Sequence, residues 1–443
     1  MNNRKKINFF NNINNTLIDS AVKGIKDIDK IKIQDIKKQK WNILKEDVQF
    51  PILTIKKSVF NKNILSMHKY VKANKVFLAP HIKTSMSPQI IQQIFNLGCW
   101  GFTVANNQQL SVLLKMGIRK IIFANLITNQ SNIDNLFQLI NQYKDIQIYI
   151  CVDSIFGINL LKTLSKKLNF NRVIKILIEV GYQNSRSGIR NIKSLNKILD
   201  SLRILPVNFK ISGILFYEGA SAVNNYSISL KRVEKCIKLA FNCLNFLISN
   251  NIINNKECII SGGGSEYFDL VVDSFKKNKK NKNFKFVIRP GSYIAYGHGY
   301  YLSSLNKIND RKKIIIKNKK INATDLFQPS LELWAHVISQ QDSGKAILNF
   351  GKRDVSFDLG YPIPLLVYRN GKILHKSPYD KNIVVYKLND QHAFIKFSKN
   401  YNIEVGDLVK FGVSHPCITI DKWKIFYMIN DNNTIVEAFK TFF

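Results

Sequence analysis

From about residue 51 onward, short apolar runs rich in Ile, Val and Phe alternate with segments whose apolar residues recur every three or four positions. The runs lie at 76–79, 101–105, 120–126, 146–152, 174–180, 209–216, 257–261 and 284–288. Between them, 88–97, 107–115, 132–142, 155–168, 192–202 and 227–250 carry the helical rhythm. Strands that read as nearly unbroken apolar runs are those covered on both faces by crossover helices. Eight such runs with intervening helices predict an α/β chain folded as a (β/α)8 TIM barrel.

After residue 300 the period shortens to two. Alternating segments at 313–316, 331–338, 345–350, 383–387, 393–397 and 407–412 are separated by turn signals such as Asp342-Ser343-Gly344, Arg369-Asn370-Gly371 and Asn389-Asp390. They predict an all-β second domain. The expected division is an extension at 1–49, a barrel at 50–300 and a β domain at 301–443, with the basic stretch 305–320 as a boundary loop. The extension is polar and Lys-rich with a loose helical rhythm, and is expected to pack on the β domain.

Composition narrows the field. The formal net charge is +36, but the basic residues are 55 Lys and only 11 Arg, and the lysines are scattered. Base readout and bidentate phosphate contacts favour Arg, so no nucleic-acid partner is expected. The clusters Lys276-Lys277-Asn278-Lys279-Lys280 and 311–320 read as solvated loops, although the positive field should still draw anionic ligands. No run of about 18 apolar residues exists to span a membrane. The N-terminal stretch MNNRKKINFFNNINN lacks an apolar signal core. Six cysteines without a CxxC pair read as reduced thiols. A cytoplasmic protein is expected.

In a barrel, chemistry sits where strands end at the C-terminal face. Strand one ends Ala79-Pro80-His81-Ile82-Lys83-Thr84, which puts an amine at the mouth, where burial can depress its pKa. By position alone Lys83 is equally a surface lysine. Strand five ends in a loop holding Arg186, a guanidinium that can donate to a phenolate or carboxylate, or equally an ion pair at a helix start. Strand six ends Phe216-Tyr217-Glu218-Gly219, with Tyr217 and Glu218 both expected to face the mouth unless they form a capping pair. Strand seven ends Ser261-Gly262-Gly263-Gly264-Ser265 ahead of a helix, where backbone N–H groups can approach an anion. Strand eight runs into Arg289-Pro290-Gly291-Ser292-Tyr293 and a polar, aromatic exit segment. A Lys, an Arg, a Tyr and an anion loop around one mouth point to pyridoxal 5′-phosphate.

The second domain adds Ser414-His415-Pro416-Cys417. On an extended segment His415 and Cys417 face the same side and suit Zn2+ with open positions left over. Alone, a His-x-Cys pair is more often core packing. His68, His375 and His392 have no partner at metal spacing and read as structural.

Taken in order, PHIKTSMSP, GFTVANNQQ, NSRSGIR, FYEG, SGGGSEYFD, RPGSY, GHGYY, GKRDVSFDLG and SHPCITIDKW resemble the fold-type III pyridoxal-phosphate group from about residue 50 to 430. That group includes D-threonine aldolases, zinc-dependent D-serine dehydratases and amino acid deaminase/aldolase proteins. The resemblance implies an alanine-racemase-type barrel followed by a D-serine-dehydratase-like β domain. It implies Lys83 as the Schiff-base lysine, Arg186 and Tyr217 near the cofactor ring, Gly262, Gly263, Gly264 and Ser265 as the phosphate loop, and His415 and Cys417 as zinc ligands. It further implies a homodimer and β-elimination of a D-β-hydroxy amino acid such as D-serine or D-threonine to a 2-keto acid and ammonia. Aldol cleavage and racemisation are the alternatives. Three departures stand out: Ala79 where aldolases carry Arg, Ser85-Met86 where they carry His-Lys, and Asn184-Ser185 in place of a Gly-rich run.

Overall fold

A computed structural model describes residues 2–27 (the backbone alone for 2–5), 29–143, 145–253, 258–278, 284–376 and 382–443. Glu257, Lys279 and Lys280, which the sequence reading included, lie outside these. Eight parallel strands form one sheet in the circular order expected of a barrel: Phe77–Leu78, Phe102–Val104, Lys120–Leu126, Gln147–Val152, Ile174–Val180, Phe209–Phe216, Cys258–Gly262 and Phe284–Ile288. A bridge between His81 and Thr103 closes the ring, and the Thr103 hydroxyl donates to the Ala79 carbonyl at 2.7 Å. Ala79, Ile122, Tyr149, Leu177, Leu215, Ile259 and Val287 pack together inside, while their strand neighbours pack in the much larger core that includes the helices. The strand runs are apolar throughout because both faces are buried.

Local chemistry sets the helix starts. Asn106, Asn129, Ser154, Asn191 and Asn225 each accept a backbone N–H of the helix they precede. Such caps typically contribute about 1 kcal/mol each. The longest helix, Tyr226–Ser249, buries Val233, Cys236, Ile237, Ala240, Phe241, Cys243, Leu244 and Leu247, a stripe at helical spacing. The segment 192–202 is two short helices rather than one, Ile192–Asn196 and Leu199–Arg203.

The second sheet centres on Leu331–Ser339. It pairs antiparallel with Leu408–Gly412, Lys345–Leu348 and Ile52–Lys56, and the last of these runs parallel to Ile425–Ile429. The strand at 52–56 therefore belongs to this sheet although it falls within the range expected for the barrel. Ile18, Ile25, Ile33, Ile36, Trp41 and Ile43 of the N-terminal extension pack with Trp334, Tyr368, Tyr427 and Ile435 of this sheet. The first helix, Asn2–Asn14, reaches further: Phe9 meets Phe442, and Lys6 lies over the ring of Phe95 on the barrel.

One expectation fails at the join. Residues expected as a boundary loop begin with the helix Tyr300–Arg311, whose Tyr301, Ser304, Leu305 and Ile308 are buried. Arg311, expected in solvent, is buried and bonded through Nε and Nη2 to both oxygens of fully buried Asp269, each at 2.7 Å. A planar guanidinium matches a carboxylate in this two-point manner. All six cysteines are free. No helix among the described residues is long and apolar enough to cross a membrane.

Candidate active site

The C-terminal ends of the barrel strands and one corner of the β domain enclose a cavity of ≈ 730 Å³. Lys83, Arg186, Tyr217, Gly264, Ser265, His415 and Cys417 all line it; Gly262 and Gly263 do not.

Lys83 sits in the single turn Ile82–Thr84 that follows strand one, exposed into the cavity. His81 caps that turn, its Nδ1 accepting the Lys83 N–H at 3.3 Å. Burial, and then the cations Lys83, Arg289 and Arg186, hold His81 well below the usual imidazole value, so it stays neutral and adds no charge beside the amine.

The Arg186 guanidinium lies over the Tyr217 ring, 5.2 Å from its centre. Its loop is held from behind by Arg190, which donates to the carbonyls of Ser185, Arg186 and Ser187. The departure at Asn184-Ser185 is accommodated locally. Asn184 takes a left-handed conformation, φ 56°, which short polar side chains tolerate, and the Ser185 hydroxyl donates to the Ala220 carbonyl at 2.8 Å. Burial, and then Glu266 and Glu218, push the Tyr217 phenol above its usual range, so it remains a donor.

Glu218 does not face the mouth. It is fully buried, and its carboxylate accepts the N–H groups of Gly263 at 3.0 Å and Gly264 at 2.7 Å. Of the two residues expected at the mouth, Tyr217 lines the cavity and Glu218 turns instead to the glycine loop. The glycines serve different needs. A side chain at Gly262 would strike the Phe216 ring; Gly263 has φ +85°; a Cβ at Gly264 would lie 2.6 Å from the Tyr217 ring. Of the glycine run, only Gly264 reaches the cavity wall.

The β domain delivers the other side. His415 occupies the N-cap position of the short helix Pro416–Ile420 and Cys417 lies in its first turn, not on an extended segment, because Pro416 pre-sets the helical φ. The His415 Nδ1 lies 2.6 Å from Asp358 Oδ2. Cys417 Sγ lies 3.3 Å from the Thr84 hydroxyl and 3.4 Å from that of Ser292, so the β domain touches the residue next to Lys83. Burial alone would depress His415 and raise Cys417. Their mutual contact, with Asp358 beside the one and Ser292 and Thr84 beside the other, outweighs it and reverses both directions. An imidazole held through Nδ1 and a sulfur tending to thiolate form a donor pair suited to Zn2+. Among the described residues no group of three or more such ligands occurs, so a metal here would take its remaining positions from water or substrate.

Sequence reasoning missed Arg289. It is buried at the end of strand eight and lines the cavity; it donates to the Phe216 carbonyl at 2.7 Å and has no partner for Nε. Burial lowers its pKa, with Glu218 and Glu179 opposing. The signal was available: an arginine at a strand end, among only 11 in the chain. Thr84, Ser292 and Asp358 were likewise unassigned.

Residues 330–429 match the family described as the putative serine dehydratase domain. None of the curated proteins matches the chain by sequence. Among 161 matching chains of solved structures is D-threonine aldolase from Filomicrobium marinum: 18% identity, covering 89% of this chain and 96% of that one, TM-score 0.69. D-threo-3-hydroxyaspartate dehydratase from Delftia sp. HT23 matches at 18% identity over 90% and 98%, TM-score 0.68, and a mutant of a dehydratase of that name matches in a metal-free form. An alanine-racemase-like protein from Idiomarina loihiensis matches at 17% over 89% and 97%, TM-score 0.67. The chain thus has the alanine-racemase-like fold, a barrel followed by a β domain, and within it residues 330–429 are similar to the putative serine dehydratase domain.

Proposed function

We propose that this chain is a pyridoxal-phosphate enzyme that removes the β-hydroxyl of a D-amino acid such as D-serine or D-threonine, yielding a 2-keto acid and ammonia. The observation that carries the reading is the convergence of Lys83, Arg186, Tyr217, Gly264 and Ser265 with the His415–Cys417 pair around one cavity. The residues fit the cofactor: an accessible amine to take its carbonyl, serine and glycine at its anionic end, and a buried Arg289 whose Nε lacks a partner.

When bound, pyridoxal phosphate supplies an electron sink for a carbanion at Cα. Lys83 is the group placed to take the Cα proton once its nitrogen is free. Neutral His81 fixes the lysine's turn without placing a further cation beside the amine. Arg186 and Tyr217 present fixed donors to the cavity, and burial keeps the proton on the Tyr217 phenol. A zinc ion on His415 and Cys417 would supply Lewis acidity toward the departing β-oxygen. That corner abuts Thr84, the residue next to the proposed base. A homodimer, supported by the family resemblance, and a cytoplasmic location, supported by the free cysteines, remain part of the proposal.

The test is direct. The chain loaded with pyridoxal phosphate and zinc is incubated with D-serine and D-threonine, and pyruvate, 2-oxobutyrate and ammonia are measured beside glycine and the L-isomers. Keto acid with equal ammonia is expected. Glycine would make it an aldolase, L-isomer a racemase, and no product would end the reading.

A further inference from the structure

The sequence nominates a glycine run as the anion loop, yet two of its donors are already engaged. The N–H groups of Gly263 and Gly264 donate to Glu218. Glu218 is wholly buried and does not line the cavity, whereas Tyr217 before it and Gly264 opposite it do. These N–H groups therefore point back into the barrel wall. A carboxylate standing in for an absent phosphate would occupy the cavity itself; this one is part of the scaffold. It opens the turn Glu218–Ser221, where the Ser221 hydroxyl donates to the Glu218 carbonyl at 2.6 Å. Burial raises its pKa, and the two N–H groups and Arg289 oppose that rise.

What the loop turns toward the cavity begins at its last glycine. Gly264, Ser265 and Glu266 line it, as do Gly291 and Ser292 from the loop after strand eight. The Ser265 hydroxyl accepts the Ser292 N–H at 3.2 Å and joins the two loops. The Tyr217 ring leaves no room for a side chain at Gly264, where a Cβ would lie 2.6 Å from it.

We propose that Glu218 is a positioning residue: by holding the N–H groups of Gly263 and Gly264 away from the cavity, it fixes the loop so that a phosphate is met by Ser265 and by the Gly291–Ser292 turn. This deepens the pyridoxal-phosphate reading and rests on it. The glycines supply conformation and clearance, and the carboxylate supplies their anchor.

Two measurements test it. In the cofactor-free chain, amide hydrogen exchange of the segment holding Gly263 and Gly264 is slow, and in Glu218→Ala it accelerates; unchanged exchange overturns the anchoring role whatever the cofactor. Affinity is then compared for pyridoxal 5′-phosphate and for pyridoxal, which lacks the phosphate. Glu218→Ala weakens the phosphorylated form about ten-fold or more, on the scale of a lost charge-assisted hydrogen bond, and leaves pyridoxal nearly unchanged. The near-isosteric Glu218→Gln, with one carbonyl for two N–H groups, falls between. Tighter binding of the phosphate form by Glu218→Ala, or equal loss for both aldehydes, overturns the proposal. A wild-type chain that binds neither aldehyde ends the cofactor reading instead, and the exchange rates still report on Glu218.

Discussion

The two sides of the cavity are built differently. On the barrel side, the segments carrying Lys83 and Arg186 are held by residues close to them in sequence: His81 caps the turn of Lys83, and Arg190 gathers three carbonyls of the loop carrying Arg186. The β-domain side is assembled at long range. His415 is held by Asp358, and Cys417 meets Thr84 and Ser292 across the domain boundary. The lesson is that the lysine's surroundings are fixed by strand ends, whereas the contacts of Cys417 with Thr84 and Ser292 exist only while the domains are docked.

Substitutions can break that contrast apart. The largest effect is expected on the barrel side: Lys83→Ala loses the visible absorbance of lysine-bound cofactor and lowers turnover by about 10²–10⁴-fold or more, the range for a positioned proton-transfer group. Retained absorbance and activity would remove the lysine from the proposal. On the β-domain side, His415→Ala or Cys417→Ala should abolish stoichiometric zinc and keto-acid release while the absorbance at Lys83 persists. Zinc content by atomic emission decides this, and unchanged zinc defeats the metal assignment. Asp358→Ala, one step removed, should weaken zinc by about 10–100-fold, as loss of a group that orients a ligating imidazole does.

The join itself can be tested. Arg311→Leu strands the Asp269 carboxylate in the interior and should cost about 3–5 kcal/mol in denaturant unfolding, the usual result of removing one partner of a buried pair. A loss below about 1 kcal/mol would mean the pair is exposed in solution. The smallest effect belongs to the barrel's edge. Asn106→Ala removes a cap and should cost about 1 kcal/mol, with activity unchanged.

How much of this was legible follows the same contrast. The barrel strands stood out because burial on both faces leaves unbroken apolar runs, and the site followed from their ends. Ile363–Arg369, Lys372–Lys376, Ile425–Ile429 and Ile435–Lys440 were not foreseen. Pro364 interrupts the first, exposed lysines flank the second, and the third is buried at every position, so it shows no alternation. The helix Tyr300–Arg311 hides its periodicity among Ser, Asn and Lys. Only Tyr301, Ser304, Leu305 and Ile308 mark the inward face, and one of these is a serine. Arg311 could not be told from a solvated cation because its partner lies 42 residues away. Glu218 was misread for a related reason: nothing local says which way a strand-end carboxylate turns, and its acceptor role is visible only once Gly263 and Gly264 are beside it.

Thr84 is bonded in sequence to the amine-bearing residue and in space to the sulfur of Cys417. A shift of either neighbour is thus felt by the other through a single peptide unit. Linkage then requires symmetry: whatever factor a metal on the sulfur contributes to retention of the aldehyde, the aldehyde returns to the metal. Loading the protein would be a joint equilibrium, and titrating one component would report on the other.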